Sequence, residues 1–425
     1  MPIIGIIAEF DPFHNGHRML MDLAAQKTGA DRFVCVMSGD FVQRGCPAVC
    51  DKTLRTRLAL AAGIDAVFEL PVSFACSSAE SFAYGGVSLL SSLKAIDYIA
   101  FGSECGDISV LKSIAAVLDE EPEEYKLSLR ALLKDGLTFP AARQAALEHA
   151  ALSGKAGALS QAAISDILSG PNNILAIEYC KAALRLKRAG INVPGLLTFK
   201  RTSSYLEDTP HNAHDTSASA LRRMLCDAGC GITAIAPYVP DAVLSELSPC
   251  YMKRFPITLD DFSSVLYSAL LSSKDNGFDS NTVGETGQDL LNSIFKCISA
   301  PISFSSLIAS VKTRNITYSA VSRALISIML GLCVPACGVS SGASGAAGPA
   351  IPYARLLGFK KASSDIIRLI NGSCSVEVIN KLADAKTASP LLKNDIRAAR
   401  LYNQIVFDKF GTRLPDEYET GVVIV

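Results

Sequence analysis

The chain has no CxxC pair, no marked imbalance of charge and no apolar run long enough to cross a bilayer, and each absence narrows the field. Its 425 residues carry 40 Lys and Arg against 41 Asp and Glu, a formal net charge of −1. A nucleic-acid partner would therefore have to be met by a local basic patch and not by a global field. The longest uncharged stretch runs from Ala324 to Ala354, but only Ala324 to Cys337 is strongly apolar, and Gly, Ser and Pro dominate the rest. It reads as a core helix followed by a loop, so no membrane partner is expected. Thirteen cysteines are scattered through the chain. The nearest pairs, Cys46/Cys50, Cys226/Cys230 and Cys333/Cys337, are too widely spaced to favour a structural zinc, and reduced thiols in a cytoplasmic protein are the simplest expectation. Met1–Ile7 lacks a positive leader and runs into Glu9 and Asp11, as a strand does and a signal peptide does not.

What is present is a globular composition, 49% hydrophobic and 19% charged, in a chain longer than a single core usually sustains. Residues 2–10 form a β-branched apolar run, and helical periodicity follows over 17–29. The alternation recurs: strands at Phe33–Met37, Ala66–Leu70 and Asp97–Phe101 are separated by helical patterns at 52–62 and 75–94. Strands divided by crossover helices imply a parallel sheet and an α/β class. Residues 108–190 are mostly helical, and Leu196–Lys200 reads as one further strand of the sheet. From about 230 strand signals fade, and amphipathic segments at 259–273, 287–298, 317–331, 363–371, 375–384 and 390–408 predict a mainly helical region. The expected division is 1–229 and 230–425, with the Gly/Ser/Ala-rich piece 337–349 as a loop.

In a parallel sheet, ligands bind beyond the carboxyl ends of the strands. Four segments lie there: Glu9-Phe10-Asp11-Pro12-Phe13-His14-Asn15-Gly16-His17, Ser38-Gly39-Asp40-Phe41-Val42-Gln43-Arg44-Gly45, Gly102-Ser103-Glu104 and Lys200-Arg201. His14 and His17, three residues apart at the opening of a helix, fall on one face and can both donate to phosphate oxygens, while Gly16 lets a nucleotide approach the backbone. The helix N-terminus adds oriented N–H groups for the charge that builds on an α-phosphorus. A lone histidine there would be a cap; the whole run after a strand is a far more specific phosphate signal. A metal site completed by His211 and His214 is the weaker reading, because the first pair lacks the Glu of a metalloprotease motif. A second signature, Thr216-Ser217-Ala218-Ser219-Ala220-Leu221-Arg222-Arg223, places hydroxyls, helix N–H groups and an arginine where β- and γ-phosphates could be held; by itself it would be only a cap.

The two signatures together resemble those of the nucleotidylyltransferase superfamily. With Glu69-Leu70-Pro71, Phe101-Gly102-Ser103-Glu104, Gly170-Pro171-Asn172-Asn173-Ile174-Leu175 and Pro352-Tyr353-Ala354-Arg355-Leu356-Leu357-Gly358-Phe359, the chain resembles the bacterial tRNA(Met) cytidine acetate ligase family from its first strand to at least residue 360. The resemblance implies a Rossmann-like nucleotidyltransferase domain and a helical C-terminal domain. It implies an enzyme that joins acetate to ATP, with Mg2+, to give acetyl-adenylate and pyrophosphate, then acetylates N4 of the wobble cytidine of elongator tRNA(Met). By resemblance Ile7, Ala8, Glu9, Phe10, Asp11, Pro12, Phe13, His14, Asn15, Gly16, His17, Arg18, Met19 and Leu20, with Gly102, Asn173 and Arg201, contact ATP, and His14, His17, Ser219 and Arg222 serve its phosphates. Asn172 is the alternative to Asn173. The family commonly has Asn where this chain has Asp11, which adds a carboxylate beside the nucleotide, and Gly where it has Ala176; the 337–349 insertion is also atypical. Basic residues at Lys200-Arg201, Arg222-Arg223, Lys253-Arg254, Lys312, Arg314 and Lys360-Lys361 could form a tRNA surface. The competing expectations are a small-molecule adenylyl- or cytidylyltransferase acting on a phosphate ester, and an RNA-binding protein with a relic nucleotide site.

Overall fold

A computed structural model describes residues 1–137, 139–152, 161–201, 217–227, 229–276, 287–298, 300–313, 316–332 and 351–425. Its strands are β1 (Ile3–Ala8), β2 (Arg32–Ser38), β3 (Phe41–Val42), β4 (Cys46–Pro47), β5 (Ala66–Leu70), β6 (Tyr98–Ser103), β7 (Gly195–Lys200), β8 (Tyr353–Phe359), β9 (Glu377–Ile379) and β10 (Val423–Ile424). The main sheet runs β10-β8-β5-β2-β1-β6-β7, with β9 beside β8, and β3 and β4 form a separate hairpin. From β5 to β7 every pairing is parallel. The order reverses at β1, which has β2 on one side and β6 on the other, so the crevice beyond β1 is the topological switch point where such sheets bind ligands.

The apolar run of β1 is long because both of its faces are covered. Ile4 and Ile6 pack in one core with the helices Asn15–Thr28 and Lys52–Ala61. Ile3 and Ile7 face the opposite core with the helices Ala79–Leu93 and Pro171–Arg188. Full burial of each such side chain contributes on the order of 2 kcal/mol.

A third core joins the helices Ser263–Asn276, Gln288–Cys297, Phe304–Val311, Tyr318–Leu330 and Pro390–Phe410. Phe41 of β3 inserts into it, 5.5 Å from the Phe262 ring and 6.2 Å from that of Tyr402. The α/β part and the helical part therefore share a packed junction and not a linker.

Two expectations about the C-terminal part need correction. Strand structure does not end near 230: β8 pairs antiparallel with β5 and carries β9 and β10 with it. Segment 375–384 is not helical but holds β9 and a 3-10 turn at Leu382–Asp384, because ladder pairing with β8 overrides a weak local helical pattern.

The reason β8 belongs to the sheet is ionic as well as apolar. Arg355, 5% exposed, meets Glu69 Oε2 at 3.0 Å and Glu417 Oε2 at 2.5 Å. Lys52 Nζ reaches Glu69 Oε1 at 2.7 Å and Glu417 Oε2 at 2.9 Å. Burial and Arg355 disfavour the Lys52 ammonium, but Glu417, Glu69 and Asp40 outweigh them and hold its pKa above the ordinary value. Tyr353 Oη donates to Asp395 Oδ2 at 2.6 Å, and the Val72 amide to Oδ1 at 2.7 Å. The segments Glu69–Pro71 and Pro352–Phe359, singled out above without a role, are thus partners in one buried network.

Candidate active site

Beyond β1 the chain turns through Phe10, whose φ of 47° lies in the left-handed region, and enters the helix Asn15–Thr28 with His14 as its N-cap. Phe10 and Phe13 are buried, and their rings lie 4.9 Å and 5.3 Å from that of His17. His14 Nδ1 accepts the Gly16 amide at 3.1 Å, and His17 Nδ1 accepts the His14 amide at 3.2 Å. The two imidazoles form a capping box, in which Ser or Thr and Glu are the usual pair. Because both Nδ1 lone pairs take backbone N–H groups, the neutral rings carry their proton on Nε2.

They are neutral. Burial, then Arg201 and Arg222, push His14 down to about 3, and burial, His14 and Arg201 push His17 well below its ordinary value. The pair is therefore a set of Nε2–H donors and a poor base. Gly16 has a reason other than nucleotide approach: a Cβ there would sit 2.9 Å from His14 Cε1 and 3.0 Å from Nδ1, and the ring could not cap.

The helix Ala218–Cys226 closes the corner, capped by Ser217 Oγ on the Ala220 amide. Arg222 donates to Asp11 O at 2.9 Å and Ser219 Oγ at 3.2 Å, and lies 3.3 Å from Asp11 Oδ2. The other Asp11 oxygen accepts the Val49 amide at 2.7 Å. The Asp11 carboxylate is therefore committed to the protein and aims Arg222.

These residues open onto a cavity of about 700 Å³, within the size range of small-molecule sites. Ile7, Ala8, Glu9, Phe10, Asp11, His14, His17, Arg201 and Arg222 line it. Pro12, Phe13, Asn15, Gly16, Arg18, Met19, Leu20, Gly102, Asn173 and Ser219 are not on its wall. Arg18 pairs with Asp22 on the exposed face of its helix, Met19 is 39% exposed, and Asn15 donates to Pro237 O. Gly102 makes room for Arg201, whose Cγ lies 2.9 Å from where a Cβ would be. Asn172, and not Asn173, faces the cavity. The reason is Glu104: its carboxylate accepts the amides of Asn172 and Asn173 at 3.1 Å and 2.6 Å, capping the helix Pro171–Arg188, while Asn173 Oδ1 accepts the Cys105 amide.

Sequence reasoning missed two parts of the cavity. One is an apolar side formed by Ala79, Phe82 and Tyr179 beside Ile174 and Leu175, which the motif above included without a role; the other brings Leu259, Thr317, Tyr318, Ser319, Ser322 and Arg323 from the helical region. It also missed Arg55, fully buried, which donates to the carbonyls of Glu9, Ser38, Gly39 and Cys50 and so ties together the loops after β1 and β2. Of the basic residues offered as a surface, Arg254 is taken by Asp51 at 2.5 Å, whereas Lys200, Arg223, Lys253, Lys312 and Lys361 are exposed. Among the described residues no cluster of three potential metal ligands exists and no helix is long and apolar enough to cross a membrane. Cys46 lines the cavity, but burial pushes its thiol up to about 12, so it is not a thiolate. His211, His214, Thr216, Arg314 and the 337–349 segment lie outside the described residues.

The model of the HIGH nucleotidyl transferase family matches residues 1–416. The tRNA(Met) cytidine acetate ligase of Thermoanaerobacter sp. (strain X514) is 35% identical over 406 residues, covering 95% of each chain. That of Acetivibrio thermocellus is 34% identical over the full length of both. Crystal structures of Thermotoga maritima TmcAL, apo and bound with α-thio ATP, superpose with TM-scores of 0.87 and 0.83 at 26% identity, covering all of both chains.

Proposed function

The chain belongs to the tRNA(Met) cytidine acetate ligase family of HIGH nucleotidyl transferases, and from that premise we propose that it is an ATP-dependent ligase acting in the cytoplasm on elongator tRNA(Met). In the first step a carboxylate oxygen of acetate attacks the α-phosphorus of ATP, the bond to the β-phosphate oxygen breaks, and pyrophosphate leaves. In the second, N4 of the wobble cytidine (C34) attacks the carbonyl carbon of acetyl-adenylate, AMP leaves, and the amine loses a proton to give N4-acetylcytidine.

The observation that carries this reading is the pairing of two neutral, Nε2–H-donating histidines with Arg201 and Arg222 at the switch point beyond β1. The chemistry needs orientation and fixed donors for the charge on the phosphates, and no protein nucleophile. His14 and His17 serve that charge; Arg222, aimed by Asp11 and Ser219, serves the leaving pyrophosphate; Ile7–Leu20, Gly102, Asn172 or Asn173, and Arg201 form or support the ATP site. Of the two carboxylates on the wall, Glu9 holds the Gln43 amide and Asp11 holds Val49 and Arg222. A Mg2+ ion brought by ATP would rely mainly on the nucleotide's phosphates, with Glu9 and Asp11 as the nearest wall carboxylates, and would offset the phosphate charge. Residues 1–229 supply the ATP corner, and 230–425 contribute the exposed lysines that meet tRNA.

The test is incubation with ATP, labelled acetate and elongator tRNA(Met). Label on the wobble cytidine is expected. Unlabelled tRNA together with nucleotidyl transfer to a phosphorylated metabolite would instead assign a small-molecule nucleotidyltransferase.

A further inference from the structure

The wall of the cavity contributed by the helical region is built from two segments far apart in sequence. Gln43, Arg44 and Cys46 come from the β3–β4 hairpin, and Thr317, Tyr318, Ser319 and Arg323 from the start of the helix Tyr318–Leu330. They are locked together. Gly45, with φ of 74°, lies so close to the helix that a Cβ would be 2.4 Å from the Arg323 amide nitrogen, and Ser322 Oγ donates to Gly45 O at 2.6 Å. The hairpin is also tied to the phosphate corner, because the Gln43 amide donates to Glu9 Oε1 at 2.8 Å. This wall thus keeps a fixed position relative to β1, as a site for a reacting group must.

Its chemistry differs from that of the ATP corner. Among the described residues no carboxylate lines it; it presents two arginines, the hydroxyls of Thr317 and Ser319, and the ring of Tyr318. Tyr318 lines the cavity and is 43% exposed, so part of its ring is open to a ligand. Aromatic rings with flanking arginines are what unpaired bases and their phosphates bind, and the Arg fork suits a phosphate oxygen pair.

We infer that this wall is the subsite for the acceptor nucleoside: the unstacked pyrimidine lies on Tyr318, Arg44 and Arg323 take the phosphates beside it, and the exocyclic amine faces the corner where the mixed anhydride forms. The inference rests on the ligase reading above and adds the residues that receive the RNA.

Two assays on the full-length protein separate the possibilities: acetate-dependent pyrophosphate exchange with ATP in the absence of tRNA, and acetylation of tRNA(Met). Tyr318→Ala leaves exchange within about twofold of the unaltered enzyme and raises the KM for tRNA about tenfold or more, the loss expected for one base–aromatic stack. Tyr318→Phe keeps the ring and restores the KM. Arg44→Gln and Arg323→Gln raise the same KM and flatten its salt dependence. An unchanged tRNA KM in Tyr318→Ala overturns the subsite, and so does a raised KM for ATP in exchange, which would give the ring to adenine. Absence of acetate-dependent exchange in the unaltered enzyme removes the ligase reading itself; normal exchange with an unmoved tRNA KM removes only the subsite.

Discussion

The rings of His14 and His17 lie against each other with centroids 3.9 Å apart and planes tilted by 35°, each accepting a backbone amide through Nδ1. Capping therefore uses one edge of each ring, and the catalytic role proposed above would use the opposite edge. One edge satisfies helix amides that would otherwise be orphaned, and the other is left to an anion.

The two uses separate in a single substitution. Asn is among the best N-cap residues, so His14→Asn keeps an acceptor for the Gly16 amide while removing the Nε2–H donor. We expect kcat for acetyl-adenylate formation to fall about 10²–10³-fold, with the thermal midpoint near that of the unaltered protein. His14→Ala loses the cap as well and is less stable by about 1 kcal/mol. Equal midpoints for the two variants would deny the capping role, and full activity in His14→Asn the catalytic one.

The protonation state is open to direct measurement. With the His14 pKa held down at about 3 and that of His17 well below its ordinary value, neither imidazole of the free protein titrates near the ordinary value of about 6.5. Nitrogen chemical shifts should show both as neutral Nε2–H tautomers at and above about pH 6.5. In the unfolded chain the same histidines bind protons below about pH 6.5. The folded state binds fewer, so their contribution to stability is complete above about pH 6.5 and is lost as pH falls from there toward the folded values. A histidine signal that titrates near 6.5 in the free enzyme would contradict the burial argument.

Much of this corner was legible in the sequence. The parallel strands stand out as β-branched runs, and the histidine motif sits where a strand turns into a helix. What was not legible has physical causes. β8 is interrupted by Arg355, whose burial makes sense only beside Glu69 and Glu417, and β10 is two residues long. The choice between Asn172 and Asn173 depends on Glu104, a residue in a different loop. Thr317–Arg323 reads locally as the start of a core helix; nothing near it in sequence announces that Gly45 will dock there.

Asp11 offers a sharper test of how the corner is positioned. Its Oδ1 holds the Val49 amide and its Oδ2 faces Arg222. Asn can keep the first contact through its carbonyl, so Asp11→Asn should stay within a few-fold of the unaltered enzyme in exchange. Asp11→Ala leaves a buried amide without an acceptor and Arg222 without its carboxylate, at a cost of about 1–3 kcal/mol, and should raise the KM for ATP. Denaturant midpoints and exchange kinetics measure the two effects separately; a fully stable, fully active Asp11→Ala would show that the contact does not position Arg222.

The network around β8 supports the sheet without touching the cavity. Arg355→Met fills similar volume but strands Glu69 and Glu417 with Lys52 as their one remaining strong counter-charge. Breaking one partner of a buried ion cluster costs about 3–5 kcal/mol, because the surviving charge stays desolvated. Replacing Glu69 by Gln in the same background removes that excess, so the double variant should recover part of the loss, with a coupling of about 0.5–3 kcal/mol. Exchange kinetics well below the unfolding transition should be unchanged in both, since neither residue lines the active-site cavity. Strictly additive losses in the denaturant midpoints would mean that Arg355 and Glu69 stabilise β8 independently, and the ionic account of its place in the sheet would fail.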